Sequence, residues 1–129
     1  MPPAVAAVFA GYPDAARARL VDVRALIFEV ADEAGVGPLT ETLKWGEPAY
    51  LTEATKAGST VRLAVKGGRP AVFFICHTGL VDGFRADFPE LPYLGNRGIA
   101  VEAATDRAAL AICLMRALTF HRAKREARA

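Results

Sequence analysis

Two apolar runs separated by a pair of glycines constrain the fold more than any other feature of the chain. In residues 59–66, Val, Leu and Val alternate with mostly polar residues, the pattern of a strand with one buried face. Gly67 and Gly68 follow, and adjacent glycines supply the positive φ angles of a tight hairpin turn. Residues 71–77 then return with apolar side chains on both faces, which predicts a central strand. An antiparallel sheet is therefore predicted.

The segments on either side of this hairpin show the periodicity of helices. An amphipathic helix is predicted from Pro13 to its stop at Gly35, and a final helix is predicted to begin at a cap on Thr105 or Asp106 and to run through His121. The remaining predicted elements are a short helix at 4–10, a helical turn at 40–43, a strand at 49–53, a short helix at 80–88, a loop at 92–96 and a last strand at 98–102. The order predicts an α+β fold, an antiparallel β-sheet packed against N-terminal and C-terminal helices.

Length and composition limit the classes of protein to which the chain can belong. A length of 129 residues, with 53% hydrophobic and 23% charged residues, predicts one globular domain over residues 1–129. The net charge of +2 is too small to indicate nucleic-acid binding, so no nucleic-acid partner is expected. The basic residues near the end of the chain suit the C-terminus of a helix and are interpreted in that way: Arg122, Lys124, Arg125 and Arg128.

The distribution of apolar and basic residues predicts a cytoplasmic protein with no membrane partner. The apolar residues 4–10 lack the positive leader of a secretory signal, since the first basic residue is Arg17. The longest apolar run, residues 108–115, is far shorter than the roughly 20 residues of a membrane-spanning helix. In the cytoplasm, Cys76 and Cys113 are expected to be buried, reduced thiols.

The segment from Leu43 to Tyr50 concentrates chemically distinctive residues. It holds the only Trp of the chain, Trp45, and Gly46 and Pro48 fix the backbone between Trp45 and Tyr50. An indole and a phenol each combine an apolar body with a polar tip, which suits a half-buried wall. Two interpretations stay open: an ordered corner between a helix and the sheet, or one wall of a ligand-binding pocket.

Neither a metal site nor a cofactor site is predicted. Cys76 and His77 are neighbours in a predicted strand, so their side chains point to opposite faces. Cys113 and His121 lie eight residues apart on a predicted helix, a distance of about 12 Å. The glycine pair lacks the Lys and hydroxyl residue of a phosphate-binding loop.

A mixed aromatic and cationic set remains as the candidate ligand-binding site: Lys44, Trp45, Glu47, Tyr50, Arg62, Lys66, His77, Asn96 and Arg97. Arg62 and Lys66 share one face of a predicted strand, and cations beside aromatic walls suit a small anionic or planar ligand. We therefore expect a binding or accessory protein with an unidentified small-molecule partner and no catalytic residues. Oligomeric state is left open, a homodimer being one alternative. If the protein is an enzyme instead, Glu47, Tyr50 and His77 are the set that would serve.

Arg97 carries a separate expectation that depends on where the last strand begins. If the strand includes Arg97, alternation puts its side chain on the core side with Ile99 and Val101. A buried guanidinium needs a carboxylate partner such as Glu47 or Asp87, and its removal would cost about 3 to 5 kcal/mol. If the strand begins after Arg97, this expectation lapses.

Four stretches taken together resemble the YdhG-like family, bacterial domains of unknown function. They are residues 43–50 (LKWGEPAY), 59–63 (STVRL), 73–80 (FFICHTGL) and 95–99 (GNRGI). The resemblance covers most of the chain and implies a compact α+β domain. One branch of that family is described as frataxin-like iron chaperones, which gives an iron-binding protein as a second functional alternative. The acidic residues are dispersed here rather than clustered as iron handling would favour.

Overall fold

The computed structural model describes all residues, Met1 to Ala129, as five α-helices and a six-stranded sheet. The helices are α1 (Pro3–Ala10), α2 (Asp14–Ala34), α3 (Leu80–Asp87), α4 (Arg107–Leu118) and α5 (Phe120–Arg128). The strands are β1 (Thr40–Lys44), β2 (Glu47–Leu51), β3 (Val61–Lys66), β4 (Arg69–Phe73), β5 (Tyr93–Leu94) and β6 (Gly98–Ala100), and a 3₁₀ turn spans Cys76–Thr78. The predicted α+β class, with helices at both ends of the chain, is confirmed.

The sheet is antiparallel throughout, in the order β1-β2-β3-β4-β6-β5. Its central hairpin is the one that the sequence predicts, because Gly67 and Gly68 both have positive φ and Lys66 pairs with Arg69 across the turn. β4 lies inside the sheet, between β3 and β6, as its apolar composition predicts. The sheet edges are β1 and β5.

The two faces of the sheet have different coverings. Inward residues such as Val61, Leu63 and Val72 join side chains of α2 and α4 in the main hydrophobic core. The opposite face, called here the open face, holds a separate small cluster of Ala64, Ala71 and Phe73, to which no helix contributes. Strand alternation therefore divides the candidate residues that lie in strands between a helix-covered side and the open face.

The helix boundaries follow local signals, with one interruption that the periodicity does not predict. Gly35 ends α2 in the left-handed conformation with φ 63°, and the Asp106 side chain accepts hydrogen bonds from the first amides of α4. The expected single C-terminal helix is instead broken at Thr119, where α4 ends and α5 begins. None of the five helices combines the length and the apolar run that crossing a bilayer would need.

Three local expectations are wrong. Residues 40–43 form strand β1 rather than a helical turn, because they pair residue for residue with β2. The loop expected at 92–96 contains the short strand β5. Cys76 is exposed rather than buried, since β4 ends at Phe73 and the 3₁₀ turn takes over. Cys113 is buried as expected, and burial raises the pKa of its thiol to about 12.

Candidate functional site

Trp45 lies at the tip of the β1–β2 hairpin. Lys44 pairs with Glu47, which leaves Trp45 and Gly46 as a two-residue turn with φ of 52° and 74°. Two successive positive φ values are typical of the hairpin turn that matches strand twist, a geometry for which Asn and Gly are preferred. The indole is 83% exposed. The segment is thus neither a helix-to-sheet corner nor a half-buried wall, but a turn that presents the indole outside the core.

The side chain of Arg62, on the open face, packs against the Trp45 indole. The Arg62 guanidinium carbon lies 4.9 Å from the centre of the Trp45 ring, within the range of a cation–π contact. Arg62 Nη1 also contacts Glu47 Oε1 at 2.5 Å, and Lys66 Nζ contacts Glu47 Oε2 at 2.7 Å. Each oxygen of this almost buried carboxylate therefore receives one cation, and we call Glu47, Arg62 and Lys66 the open-face cluster.

A cavity of about 310 Å³ lies beside the indole. Lys44, Trp45, Thr60, Arg62 and Ile75 line it. Its walls combine an aromatic face, an aliphatic side chain, a hydroxyl and two basic side chains. Lys44 takes part in none of the ion pairs of the chain, whereas Arg62 is paired with Glu47. The cavity, called here the Trp45 cavity, can therefore hold a flat group against the indole with a cation at its border.

Tyr50 belongs to the other side of the sheet, although it was predicted as part of the same wall. It is fully buried, and its hydroxyl donates a hydrogen bond of 2.9 Å to Glu41 Oε2. Glu41 also accepts 2.5 and 2.8 Å hydrogen bonds from Arg24 of α2, and we call these three residues the helix-side cluster. Burial raises the pKa of Tyr50, and the neighbouring Glu41 carboxylate raises it further.

The pKa of Glu41 is set by opposing influences. Burial raises it, but hydrogen bonds from Arg24 and Tyr50, together with the positive charge of Arg24, stabilise the carboxylate. The net result is a pKa below the ordinary value for glutamate. This ion pair and its phenol partner join α2 to β1 and β2, so their role is structural.

The remaining predicted residues lie apart from Trp45. Asn96 and Arg97 are exposed in the β5–β6 turn, at the edge of the sheet opposite to β1. Because β6 begins at Gly98, Arg97 does not take the core-side position and has neither Glu47 nor Asp87 as a partner. The condition for a buried Arg97 is therefore not met, and that expectation lapses.

The three residues proposed as the catalytic set of an enzyme, Glu47, Tyr50 and His77, do not lie together. Glu47 and Tyr50 are three residues apart in one strand, so they face opposite sides of the sheet. His77 is exposed in the 3₁₀ turn, where it borders a second cavity of about 430 Å³ together with His121. No acid, base and phenol therefore meet at one point.

A cavity of about 560 Å³ lies at α5, which the candidate set omits. Its basic lining residues are Lys56, His121, Lys124, Arg125 and Arg128. The spacing of the last four is the signal that could have revealed it, since residues at i, i+3, i+4 and i+7 share one helix face. Thr60 borders this cavity, the His77 cavity and the Trp45 cavity. The three cavities are therefore neighbours.

No three His, Cys, Asp or Glu side chains come together in an arrangement that could hold a metal ion. The iron-binding alternative therefore gains no support from the arrangement of side chains. Comparisons of the chain with protein-family models, with curated proteins and with solved structures find no match.

Proposed function

We propose that the protein is a non-enzymatic binding domain that takes a small planar, anionic ligand in the Trp45 cavity. The observation that carries the proposal is an exposed indole held by Arg62 against a cavity. An aromatic face stacks on flat ligands, and the adjacent cation favours a ligand that carries a carboxylate, sulfonate or phosphate.

The position of Trp45 supports a role outside folding. A side chain in the left-handed region costs roughly 1 to 2 kcal/mol relative to the ordinary conformation. The exposed indole recovers little of that cost through burial, because it is 83% accessible. Asn or Gly would satisfy the turn without strain, so the sequence carries a residue that the turn itself does not favour.

The charges around the cavity assign different roles to its two basic residues. Arg62 is already paired with Glu47, which it shares with Lys66, and its guanidinium serves to position the indole. Lys44 has no carboxylate partner and stands at the cavity border, where it supplies the charge that attracts an anion. Together they give a stacking surface with one available positive charge.

Trp45 provides the test, because it is the only Trp of the chain and its fluorescence reports on the cavity alone. Titration with planar aromatic carboxylates, beginning with 2-naphthoate, should change its emission saturably. A ligand at about 100 times its Kd should also stabilise the native state by about 2.7 kcal/mol, which thermal unfolding measures.

The matched variants separate stacking from charge. Trp45→Ala and Lys44→Ala should each weaken binding at least about tenfold by thermal shift, whereas Arg97→Ala should bind like the parent chain. The proposal fails if no planar anion both changes the Trp45 emission and stabilises the native state. It also fails if Trp45→Ala binds the ligand with unchanged affinity.

Membership of the YdhG-like family and a cytoplasmic location are further parts of this proposal. Support comes from where the four resembling stretches lie: on the β1–β2 hairpin, at the start of β3, from β4 to α3 and in the β5–β6 turn. Each of the four stretches therefore belongs to a strand of the sheet or to a segment joined to one. A solved structure of a YdhG-like domain with a different strand order would contradict the membership.

A further inference from the structure

Helix α5 directs four basic side chains into the 560 Å³ cavity, called here the α5 groove. His121, Lys124, Arg125 and Arg128 form one helix face, and Lys56 comes from the segment between β2 and β3 on the other side. The remaining lining residues are mostly polar, with Leu51 the one hydrophobic member. The groove therefore suits a charged ligand rather than an apolar one.

Most of this positive charge has no carboxylate partner within the protein, although Lys124 lies over the Phe120 ring and Arg125 donates a hydrogen bond to the Lys56 carbonyl. None of the nine ion pairs of the chain includes Lys56, Lys124, Arg125 or Arg128. Glu53 is the single carboxylate among the lining residues. Like charges at i, i+4, such as Lys124 and Arg128, repel each other by a few tenths of a kcal/mol. A bound anion would remove this repulsion.

The helix dipole accounts for only part of the cluster. Cations are stabilised in the last turn of a helix, which explains Arg125 and Arg128. Lys124 precedes that turn, and Lys56 belongs to another segment altogether. The convergence of these two side chains on one cavity therefore needs a different reason.

Both walls of the groove are fixed by hydrogen bonds. The Arg122 amide donates to the Ala57 carbonyl at 2.8 Å, and the Ser59 amide donates to the Ala117 carbonyl at the same distance. Between them, the backbone of Gly58 passes so close to α4 that a Cβ there would lie 2.3 Å from the Leu118 carbonyl oxygen. The groove is thus preorganised, which reduces the entropy lost when a ligand binds.

We infer that the α5 groove binds the di- or triphosphate group of a small phosphorylated ligand. Its volume falls in the range of small-molecule sites, and converging Lys and Arg side chains match several phosphate oxygens at once. The basic side chains converge on one groove of about 560 Å³, whereas a nucleic-acid surface presents a basic stripe along which a backbone can run. The inference is independent of the Trp45 cavity.

Isothermal titration of inorganic tripolyphosphate into the full chain tests this inference. We expect one site per chain, and binding weakened at least about tenfold in the double variant Lys56→Asn with Lys124→Ala. Asn is chosen at 56 because Lys56 has a positive φ of 54°, which Asn tolerates. Arg97→Ala removes an exposed arginine outside the groove and should change the Kd less than about twofold. Trp45→Ala should also bind normally, so failure of the Trp45 proposal would be seen separately.

Circular dichroism and thermal unfolding of each variant establish that the compared proteins are folded, and Lys124→Ala alone serves if the double variant is not. The absence of saturable heat at millimolar tripolyphosphate would overturn the inference, as would equal weakening by Arg97→Ala. Tighter binding to a 20-nucleotide single-stranded RNA at several chains per strand, or to phosphatidylglycerol vesicles, would overturn it in favour of a polymer or a membrane surface.

Discussion

The β1–β2 hairpin carries one ion-pair cluster on each face, and the two clusters use similar residues differently. On the helix side, Glu41 accepts hydrogen bonds from Arg24 of α2 and from Tyr50 of β2. On the open face, Glu47 pairs with Arg62 and Lys66, and all three side chains come from strands. The first cluster joins helix to sheet, whereas the second positions an exposed indole beside a cavity.

This difference shows how alternation along a strand can separate stability from binding. Glu47 and Tyr50 are nearly adjacent in sequence, yet each serves a different cluster because successive side chains point to opposite faces. A change in one cluster should therefore have little effect on the other. Denaturant unfolding followed by far-ultraviolet circular dichroism reports on the core, and Trp45 fluorescence reports on the open face.

Removal of Glu41 should produce the largest effect. Glu41→Ala leaves the buried Tyr50 hydroxyl and the Arg24 guanidinium without their acceptor, and should lower the free energy of unfolding by about 2 to 3 kcal/mol. Glu41→Gln keeps an acceptor oxygen and should lose less. A loss below about 1 kcal/mol for the alanine variant would mean that the helix-side cluster behaves like a surface ion pair.

Removal of Glu47 should cost less and should act on the indole. Glu47→Ala leaves Arg62 and Lys66 without their carboxylate, but Lys66 is more than half exposed and Arg62 keeps its contact with the Trp45 ring, so we expect a loss of about 1 to 2 kcal/mol. The freed Arg62 should hold the ring less firmly and lower the fluorescence anisotropy of Trp45. Glu41→Ala is the control and should leave the native anisotropy unchanged. A stability loss equal to that of Glu41→Ala would remove the distinction between the clusters.

Acid should weaken the helix-side cluster selectively. The folded-state pKa of Glu41 lies below its ordinary value of 4.5, so its contribution is present above about pH 4.5 and is lost as pH falls through the folded-state pKa. Unfolding of the parent chain and of Glu41→Gln between pH 7 and pH 3 measures this change. Their stability difference should shrink as the pH falls, and a constant difference would contradict the assignment.

Removal of the Arg97 side chain should have the smallest effect on stability, and this variant serves as the reference for the other substitutions. Its side chain is exposed in the β5–β6 turn, with no carboxylate partner in the chain, so Arg97→Ala should change the free energy of unfolding by less than about 0.5 kcal/mol. A loss of about 3 kcal/mol in denaturant unfolding would instead restore the buried position that strict strand alternation predicts.

The sequence predicts the central part of the fold better than its borders. Periodicity identifies α2, the β3–β4 hairpin and its glycine turn, because many residues contribute to each pattern. Periodicity does not identify β1, because this strand is defined by its pairing with β2 and the five residues of β1 alone show no strand pattern. The environment of Arg97 is not predicted for a related reason, since it depends on whether the strand begins one residue earlier or later.

The candidate site is predicted only in part. Lys44, Trp45, Glu47, Arg62 and Lys66 do come together, because the hairpin returns them to one face of the sheet. Tyr50 does not belong to this group, because its side chain lies on the helix-covered side of the sheet. The α5 groove is not foreseen because the C-terminal cations suit a helix end equally well, and the approach of residues 52–58 to α5 is visible only in three dimensions.

The close passage of Gly58 beneath Leu118 has a consequence for sequence divergence among homologous chains. No side chain fits at position 58 without displacing the backbone of α4, so glycine is required there whatever the protein binds. Lys124 and Arg128 are exposed, and the fold alone would let them drift to other polar residues. If the α5 groove binds an anion as inferred, drift at these positions beside an invariant glycine would therefore mark the homologous chains that have lost the binding and kept the fold.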